Sequence, residues 1–341
     1  MTPEDALRLL PKAELHCHFV STMRASTLVE LAARHRVPLR TDDLDALFAY
    51  EGLPDFLDVF NAAHAALTTG DEIARVAYEG VEDAVRAGNL RYREYFVNPD
   101  NFRDAGIGYT SLVDAMTDGL VQAERDFGVG FRIVAAINRS LPAATAVDLV
   151  GTVLAHPRDA VVGIGMDDLT PELTEDPLRF QEAYALAARH GLRGTAHVGE
   201  TLSADPRNVA DAVFGLGVER VDHGYRVVDD ADVLARVGEA GVPFVCTPFS
   251  TRMLSGWGFD PGHRIARMVR AGLRVTLATD DAVFFRTDIG REYSEALPAM
   301  GLGLDDAVRI ARVGFEAAWC DESQRERMLA DLRGAALALS A

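Results

Sequence analysis

Short runs of β-branched and apolar residues alternate along the chain with longer stretches in which apolar residues recur every three to four positions. This alternation is typical of repeated strand–helix units. The pattern predicts eight strands, over residues 13–19, 90–97, 131–137, 161–166, 194–198, 218–222, 243–247 and 274–279. Helices are predicted between them, over residues 25–35, 72–87, 109–127, 178–190, 229–240 and 264–271.

Eight strand–helix units favour an α/β fold of the closed (β/α)8 TIM barrel type over an open, doubly wound sheet. The polar residues support this choice, because each candidate functional residue falls at the carboxyl end of a predicted strand. Barrel enzymes gather their catalytic residues at that end, from several different strands. No linker, repeat or block of charge divides the sequence, so residues 1–341 are predicted to form a single domain.

Two histidines separated by one residue, in His16-Cys17-His18, close the first predicted strand. Alternate side chains on a strand share a face, so His16 and His18 can point at one cation. His197 lies in a later strand, where a buried imidazole needs a polar partner, and Asp280 follows the last strand. A catalytic zinc site takes three or four such ligands, and these four residues can supply them. For the histidine pair alone, local hydrogen bonding within the strand is the alternative.

Three further polar residues follow predicted strands, namely Glu200, His223 and Asp281. Each has an ordinary structural alternative: a helix N-terminal acid, a loop histidine and a loop cap. Because the candidates come from four different strands of one predicted barrel, a single shared site is favoured over separate coincidences. Asp281 points away from its neighbour Asp280, so one carboxylate can bind metal while the other reaches a substrate.

The composition narrows the class of partner. The chain has 48% hydrophobic and 25% charged residues, as a soluble globular protein does, and a formal net charge of -18. That charge disfavours binding to nucleic acid or to an anionic membrane, so a small molecule is expected. The three cysteines, Cys17, Cys246 and Cys320, are few and odd in number, which indicates reduced thiols and a cytoplasmic location. No secretion signal or membrane-spanning segment is expected.

Four segments together resemble the adenosine and adenine deaminase family of the amidohydrolase superfamily. They are PKAELHCH at 11–18, TAHVGE at 195–200, RVDHG at 220–224 and TDD at 279–281. The resemblance spans nearly the whole chain. It implies an amidohydrolase-type barrel in which His16, His18, His197 and Asp280 bind one zinc ion, with iron or manganese as alternatives.

The same resemblance implies roles for the other candidates. Glu200 would protonate the ring nitrogen beside the attacked carbon, His223 would orient and deprotonate the metal-bound water, and Asp281 would engage water or a substrate ring nitrogen. Gly165 lies in the segment where the family offers backbone groups to the purine. The implied activity is zinc-dependent hydrolytic deamination of a 6-aminopurine base, nucleoside or modified derivative, with release of ammonia.

The departures from the family pattern concern the substrate. Phe19 and Val20 follow the two histidines, and Val20 stands where the family carries an acid that contacts the ribose in adenosine deaminases. Phe19 and Val20 are therefore predicted to contact a nonstandard 6-aminopurine or related amino-heterocycle. Two alternatives stay open: a metal-dependent hydrolase of another C–N bond, in a cyclic amide or substituted amine, and a noncatalytic metal-binding relative. The sequence predicts no oligomeric state.

Overall fold

The computed structural model describes residues 2–50 and 53–340, so Met1 and Ala341, the ends of the predicted domain, lie outside the described residues. Within those ranges, eight parallel strands pair in sequence order. The strands are β1 Lys12–His18, β2 Leu90–Val97, β3 Gly130–Asn138, β4 Val161–Asp167, β5 Arg193–Val198, β6 Arg220–His223, β7 Phe244–Cys246 and β8 Val275–Leu277. All eight predicted strands are present, with ends shifted by a few residues.

The barrel closes between the last strand and the first. Just beyond β8, Asp280 forms a parallel bridge with Cys17. The backbone N–H of Asp280 donates to the His16 carbonyl at 3.2 Å, and the N–H of His18 donates to the Asp280 carbonyl at 2.9 Å. The TIM-barrel prediction is confirmed, and the closing hydrogen bonds join the segments that carry three of the predicted metal ligands.

Helices surround the barrel. Their bounds are α1 Pro3–Leu9, α2 Ala25–His35, α3 Leu44–Leu47, α4 Leu53–Ala66, α5 Gly70–Gly88, α6 Tyr109–Phe127, α7 Ala143–Ala155, α8 Gln181–Arg189, α9 Arg207–Ala210, α10 Ala231–Ala240, α11 Pro248–Leu254, α12 Arg264–Arg270, α13 Ile289–Arg291, α14 Leu297–Ala299, α15 Leu304–Ala317 and α16 Glu322–Ser340. Short 3-10 segments cover Phe19–Thr22, Pro99–Phe102, Pro177–Phe180 and Tyr225–Asp229, and π-helical turns cover Asp211–Leu216 and Glu292–Ala296. No helix in the described part of the chain is long and apolar enough to cross a membrane.

One glycine shows how tightly the helices pack. Gly88 is the last residue of α5, and Asn89 takes the left-handed position after it with φ 56°. A Cβ on Gly88 would lie 2.4 Å from the backbone nitrogen of Gly290, so only glycine fits between α5 and α13.

Side chains along β2 alternate between the inside and the outside of the barrel. Inside, Phe96 packs with Val134, Ala136 and Trp319 to form a small core of its own. Outside, Tyr95 belongs to the larger core between barrel and helices. Phe96 also touches the rings of His16, His18 and His197, so it forms the floor on which the predicted site rests.

Candidate metal centre and active site

Four predicted ligands meet at the carboxyl end of the barrel: His16 and His18 from β1, His197 from β5, and Asp280 after β8. All four are buried, and one donor atom of each lies within 4.8 Å of the others. Asp280 Oδ1 is 3.0 Å from His16 Nε2 and 3.2 Å from His18 Nε2. His18 Nε2 is 3.3 Å from His197 Nε2. Three imidazole nitrogens and a carboxylate oxygen thus converge on one small volume.

These separations fit a divalent cation. Zinc binds imidazole nitrogen at about 2.0–2.1 Å, which places neighbouring ligands of a tetrahedral ion about 3.3 Å apart. The charges agree with this fit. Burial opposes the charged form of His16, but the carboxylates of Asp222 and Asp280 outweigh that effect and raise its pKa to about 10. Two buried carboxylates therefore add negative charge beside His16, next to the position where the four donor atoms meet.

Carboxylates also face the outer nitrogens of the three histidines. Asp222 Oδ1 lies 3.0 Å from His16 Nδ1, and its Oδ2 lies 3.8 Å from His197 Nδ1. Asp167 Oδ2 lies 3.7 Å from His18 Nδ1. Neither aspartate was assigned a role from sequence, although both lie at strand ends, which is the one signal that could have found them.

The backbone at two of these strand ends adopts a conformation that most side chains avoid. His223 and Asp280 have φ of 67° and 63°, in the left-handed region. Each such residue costs about 1–3 kcal/mol, and such residues concentrate at active sites. Gly224 follows with φ 71°, and a Cβ there would lie 2.4 Å from the Phe244 ring. The turn after β6 thus requires Gly224 and aims His223 into the site.

Only one ring nitrogen of His223, Nδ1, lies within hydrogen-bond distance of described residues. Its Nδ1 lies 3.2 Å from the Tyr225 hydroxyl and 3.3 Å from Thr247 Oγ1. Its Nε2 has no hydrogen-bond partner among the described residues and lies 3.9 Å from Glu200 Oε1. Burial lowers the pKa of His223 to about 4, so the imidazole is neutral. The free Nε2 of this fixed, neutral imidazole can accept a hydrogen bond from a water molecule placed beside it.

Glu200 follows β5 on a backbone clamped by two buried residues. The Glu175 carboxylate accepts hydrogen bonds from the N–H groups of Gly199 at 2.6 Å and Glu200 at 2.9 Å. Arg139 donates to the carbonyls of His197 at 2.6 Å and of Asp168 at 2.6 Å. Burial, followed by the Asp280 carboxylate, raises the pKa of Glu200 to about 7, which favours its proton-carrying form. No local sequence signal pointed to Glu175 or Arg139.

Asp281 is buried beside the cluster. Burial raises its pKa to about 7, against the opposing effect of His18. Its Oδ1 has no hydrogen-bond partner within the described ranges. A buried polar atom left in this state indicates a place for a water or ligand.

The predicted substrate contacts Gly165, Phe19 and Val20 pack against their own neighbours. Gly165 faces the barrel interior, where a Cβ would lie 2.5 Å from the Phe96 ring, so its packing alone requires glycine. Phe19 packs edge-to-face on Tyr95 with ring centroids 6.4 Å apart, and Val20 is buried in the same core between barrel and helices. The structure thus brings the predicted metal and catalytic residues together and places Phe19 and Val20 in a packing environment. Substrate contact by Gly165, Phe19 and Val20 stays a prediction.

A closed parallel barrel with a buried His/Asp cluster at its carboxyl end defines the class of amidohydrolase-type barrels. The adenosine deaminase family model matches residues 11–334, and the chain belongs to that family. The resemblance inferred from sequence is thereby confirmed.

Individual relatives are similar to this chain over nearly its whole length. An adenine deaminase of Streptomyces coelicolor is 32% identical over 338 residues, which cover 97% of each chain. A zinc-containing amidohydrolase structure from Burkholderia ambifaria is 33% identical with a TM-score of 0.90, over 99% of this chain and 93% of that one. The adenine deaminase structure from Arthrobacter aurescens is 26% identical with a TM-score of 0.88, over 95% and 98% of the two chains.

Proposed function

We propose that this chain is a zinc-dependent hydrolytic deaminase of a 6-aminopurine or a closely related amino-heterocycle. The observation that carries the proposal is the buried meeting of three imidazole nitrogens and one carboxylate oxygen, with Glu200, His223 and Asp281 beside them. Family membership supports the reaction class, and the adenine deaminase relatives support an aminopurine as substrate.

The metal ligands in this proposal are His16, His18, His197 and Asp280. Their donor set and spacing suit zinc, and the similar amidohydrolase from Burkholderia ambifaria contains zinc. When bound, zinc supplies a Lewis acid that lowers the pKa of water from about 15.7 to roughly 7.

The chain's own residues move the protons. Deamination forms a bond from the water oxygen to the ring carbon, breaks the bond from that carbon to the exocyclic nitrogen, and releases ammonia. His223 Nε2 takes a proton from water, because Tyr225 and Thr247 hold its Nδ1 and leave Nε2 free. Glu200 gives its proton to the adjacent ring nitrogen. The proton taken by His223 then passes to the exocyclic nitrogen, which leaves as ammonia, and the remaining proton of the water oxygen restores Glu200. Asp281 Oδ1 accepts a hydrogen bond from substrate or water.

The proposal extends to the setting of the enzyme. Residues 1–341 act as one catalytic domain, and the partner is a small molecule rather than nucleic acid or a membrane, in keeping with a net charge of -18. Three free cysteines support a cytoplasmic location. Val20 in place of an acid favours a substrate without an ordinary ribose contact.

Ammonia release tests the proposal. Zinc-loaded protein is assayed against adenine, adenosine, adenine nucleotides, modified 6-aminopurines and other amino-heterocycles, with Glu200→Gln as the control. Ammonia release that the Glu200→Gln change abolishes supports deamination and ranks the substrates. A zinc-containing protein that releases no ammonia from any of them would contradict it, and would favour another C–N bond or a noncatalytic role.

A further inference from the structure

Asp222 is a buried carboxylate between two of the proposed metal ligands. It lies on β6, opposite His197 in the pairing of β5 with β6, and its side chain is fully buried. It precedes His223, which the proposed mechanism uses, but Asp222 itself has no part in that mechanism. A buried carboxylate is expensive unless it meets hydrogen-bond donors or positive charge, so its partners indicate its role.

Those partners are the outer nitrogens of the two histidines. Asp222 Oδ1 faces His16 Nδ1 at 3.0 Å, and Oδ2 faces His197 Nδ1 at 3.8 Å. The Thr195 hydroxyl donates to Oδ2 at 2.6 Å and so fixes the plane of the carboxylate. Neither Nδ1 atom, nor Asp222 Oδ1, has a hydrogen-bond partner in the described part of the chain, so the Asp222 carboxylate faces the two histidines as a charge rather than through formed hydrogen bonds.

An imidazole binds a metal ion through one nitrogen only when the proton sits on the other. A carboxylate facing Nδ1 holds the proton there and leaves the lone pair on Nε2, the nitrogen that points into the cluster. We infer that Asp222 is a positioning residue that sets the tautomer and orientation of both His16 and His197. This inference rests on the proposed function, since it takes these histidines as metal ligands.

The chemistry demands a carboxylate rather than an amide. Two carboxylate oxygens can accept from two imidazole N–H groups at once. An asparagine has one acceptor oxygen, so its NH2 group would face one of the two histidines. That histidine would then turn or shift its proton to Nε2, and its lone pair would be lost to the metal.

The zinc affinity of the Asp222→Asn protein tests the inference. It is measured by competition with a chelator and compared with the affinity of wild-type protein. Loss of such an outer partner typically weakens metal binding about 10- to 100-fold, and that loss is expected here. Glu292→Gln is the matched control, because Glu292 is also fully buried but hydrogen-bonds Phe249 and Thr287 away from the cluster. Its zinc affinity is expected to equal that of wild type.

Thermal unfolding of the metal-free proteins separates a positioning role from a structural one. A folded Asp222→Asn protein that binds zinc as tightly as wild type, whatever its unfolding temperature, would overturn the inference. If the Asp222→Asn protein does not fold, the zinc affinity of the Thr195→Val protein tests the inference instead. This change removes only the hydroxyl that fixes the carboxylate, and zinc affinity is expected to fall roughly five-fold. Unchanged affinity in that variant would overturn the inference.

Failure of this inference about Asp222 can be distinguished from failure of the proposed function. Wild-type protein that binds no zinc would overturn both. Wild-type protein that binds zinc and releases ammonia, together with an Asp222→Asn protein of unchanged affinity, would overturn the inference alone.

Discussion

The two ends of the barrel interior both bury charge, but they treat it differently. Toward the amino-terminal end, Glu94 accepts from Arg220 at 2.5 Å, from the Tyr92 hydroxyl at 3.0 Å and from the Trp319 N–H at 2.6 Å. The carboxylate there has a donor on every side. At the carboxyl end, His223 Nε2 and Asp281 Oδ1 have no hydrogen-bond partner in the described ranges, and two imidazole nitrogens lie 3.3 Å apart.

The difference separates structure from function. A carboxylate that already accepts from three donors has little left for a ligand, whereas crowded donor atoms and an acid or imidazole without a partner gain most from a bound ion, water or substrate. We therefore expect substitutions at the amino-terminal end to lower stability and leave catalysis unchanged. Substitutions at the carboxyl end should do the reverse.

The sharpest test at the carboxyl end is Glu200→Gln. The amide cannot give up a proton, so kcat is expected to fall about 10²- to 10⁴-fold. Zinc content, measured by atomic absorption, should stay at the wild-type level because Glu200 is not a proposed ligand. A kcat within ten-fold of wild type would contradict the role of general acid.

Glu94→Gln makes the same glutamate-to-glutamine change at the amino-terminal end of the barrel interior, and it is compared with Glu200→Gln. It leaves the buried Arg220 without an opposite charge, and the free energy of unfolding is expected to fall by about 3–5 kcal/mol. Denaturant unfolding measures the loss. The kcat of the folded protein should stay within two-fold of wild type. A large fall in kcat with little loss of stability would contradict the proposed difference between the two ends of the barrel interior.

A smaller effect is expected from Glu175→Gln, which acts on Glu200 through the backbone. The amide keeps one acceptor oxygen for the two N–H groups that Glu175 now holds, so the Glu200 loop loses one charge-assisted hydrogen bond. We expect kcat to fall roughly ten-fold, by the loss of about 1.4 kcal/mol of positioning, with zinc content unchanged. Steady-state kinetics that show a change in KM alone would place Glu175 in substrate binding instead.

Much of this architecture could be predicted from the sequence because it depends on local patterns. The bounds of α2 and α6 match their predictions, Ala25–His35 and Tyr109–Phe127, since both have strong amphipathic periodicity. Several helices lie outside the predicted ranges, α4, α7, α15 and α16 among them. The α7 sequence AATAVDLVGTVLA is apolar on most sides and rich in β-branched residues, so its periodicity does not distinguish helix from strand.

The predicted cluster could be found because its ligands end strands, and parallel barrel strands bring their carboxyl ends together. Residues that act on the ligands were not predictable in this way. Arg139 follows β3 and Glu175 lies in the segment after β4, and they bond the backbone of His197 and Glu200, contacts that depend on tertiary structure. Sequence position likewise does not show that the 3-10 turn after β1 places the Phe19 ring against Tyr95.

Zinc occupancy and ammonia release, measured together on one preparation, test the central claim most directly. Wild-type protein is stripped with a chelator and titrated with zinc while ammonia release from the best 6-aminopurine substrate is followed. The account predicts that the rate rises in proportion to bound zinc and stops rising at one ion per chain. Ammonia release that persists at the same rate in fully stripped protein would contradict it.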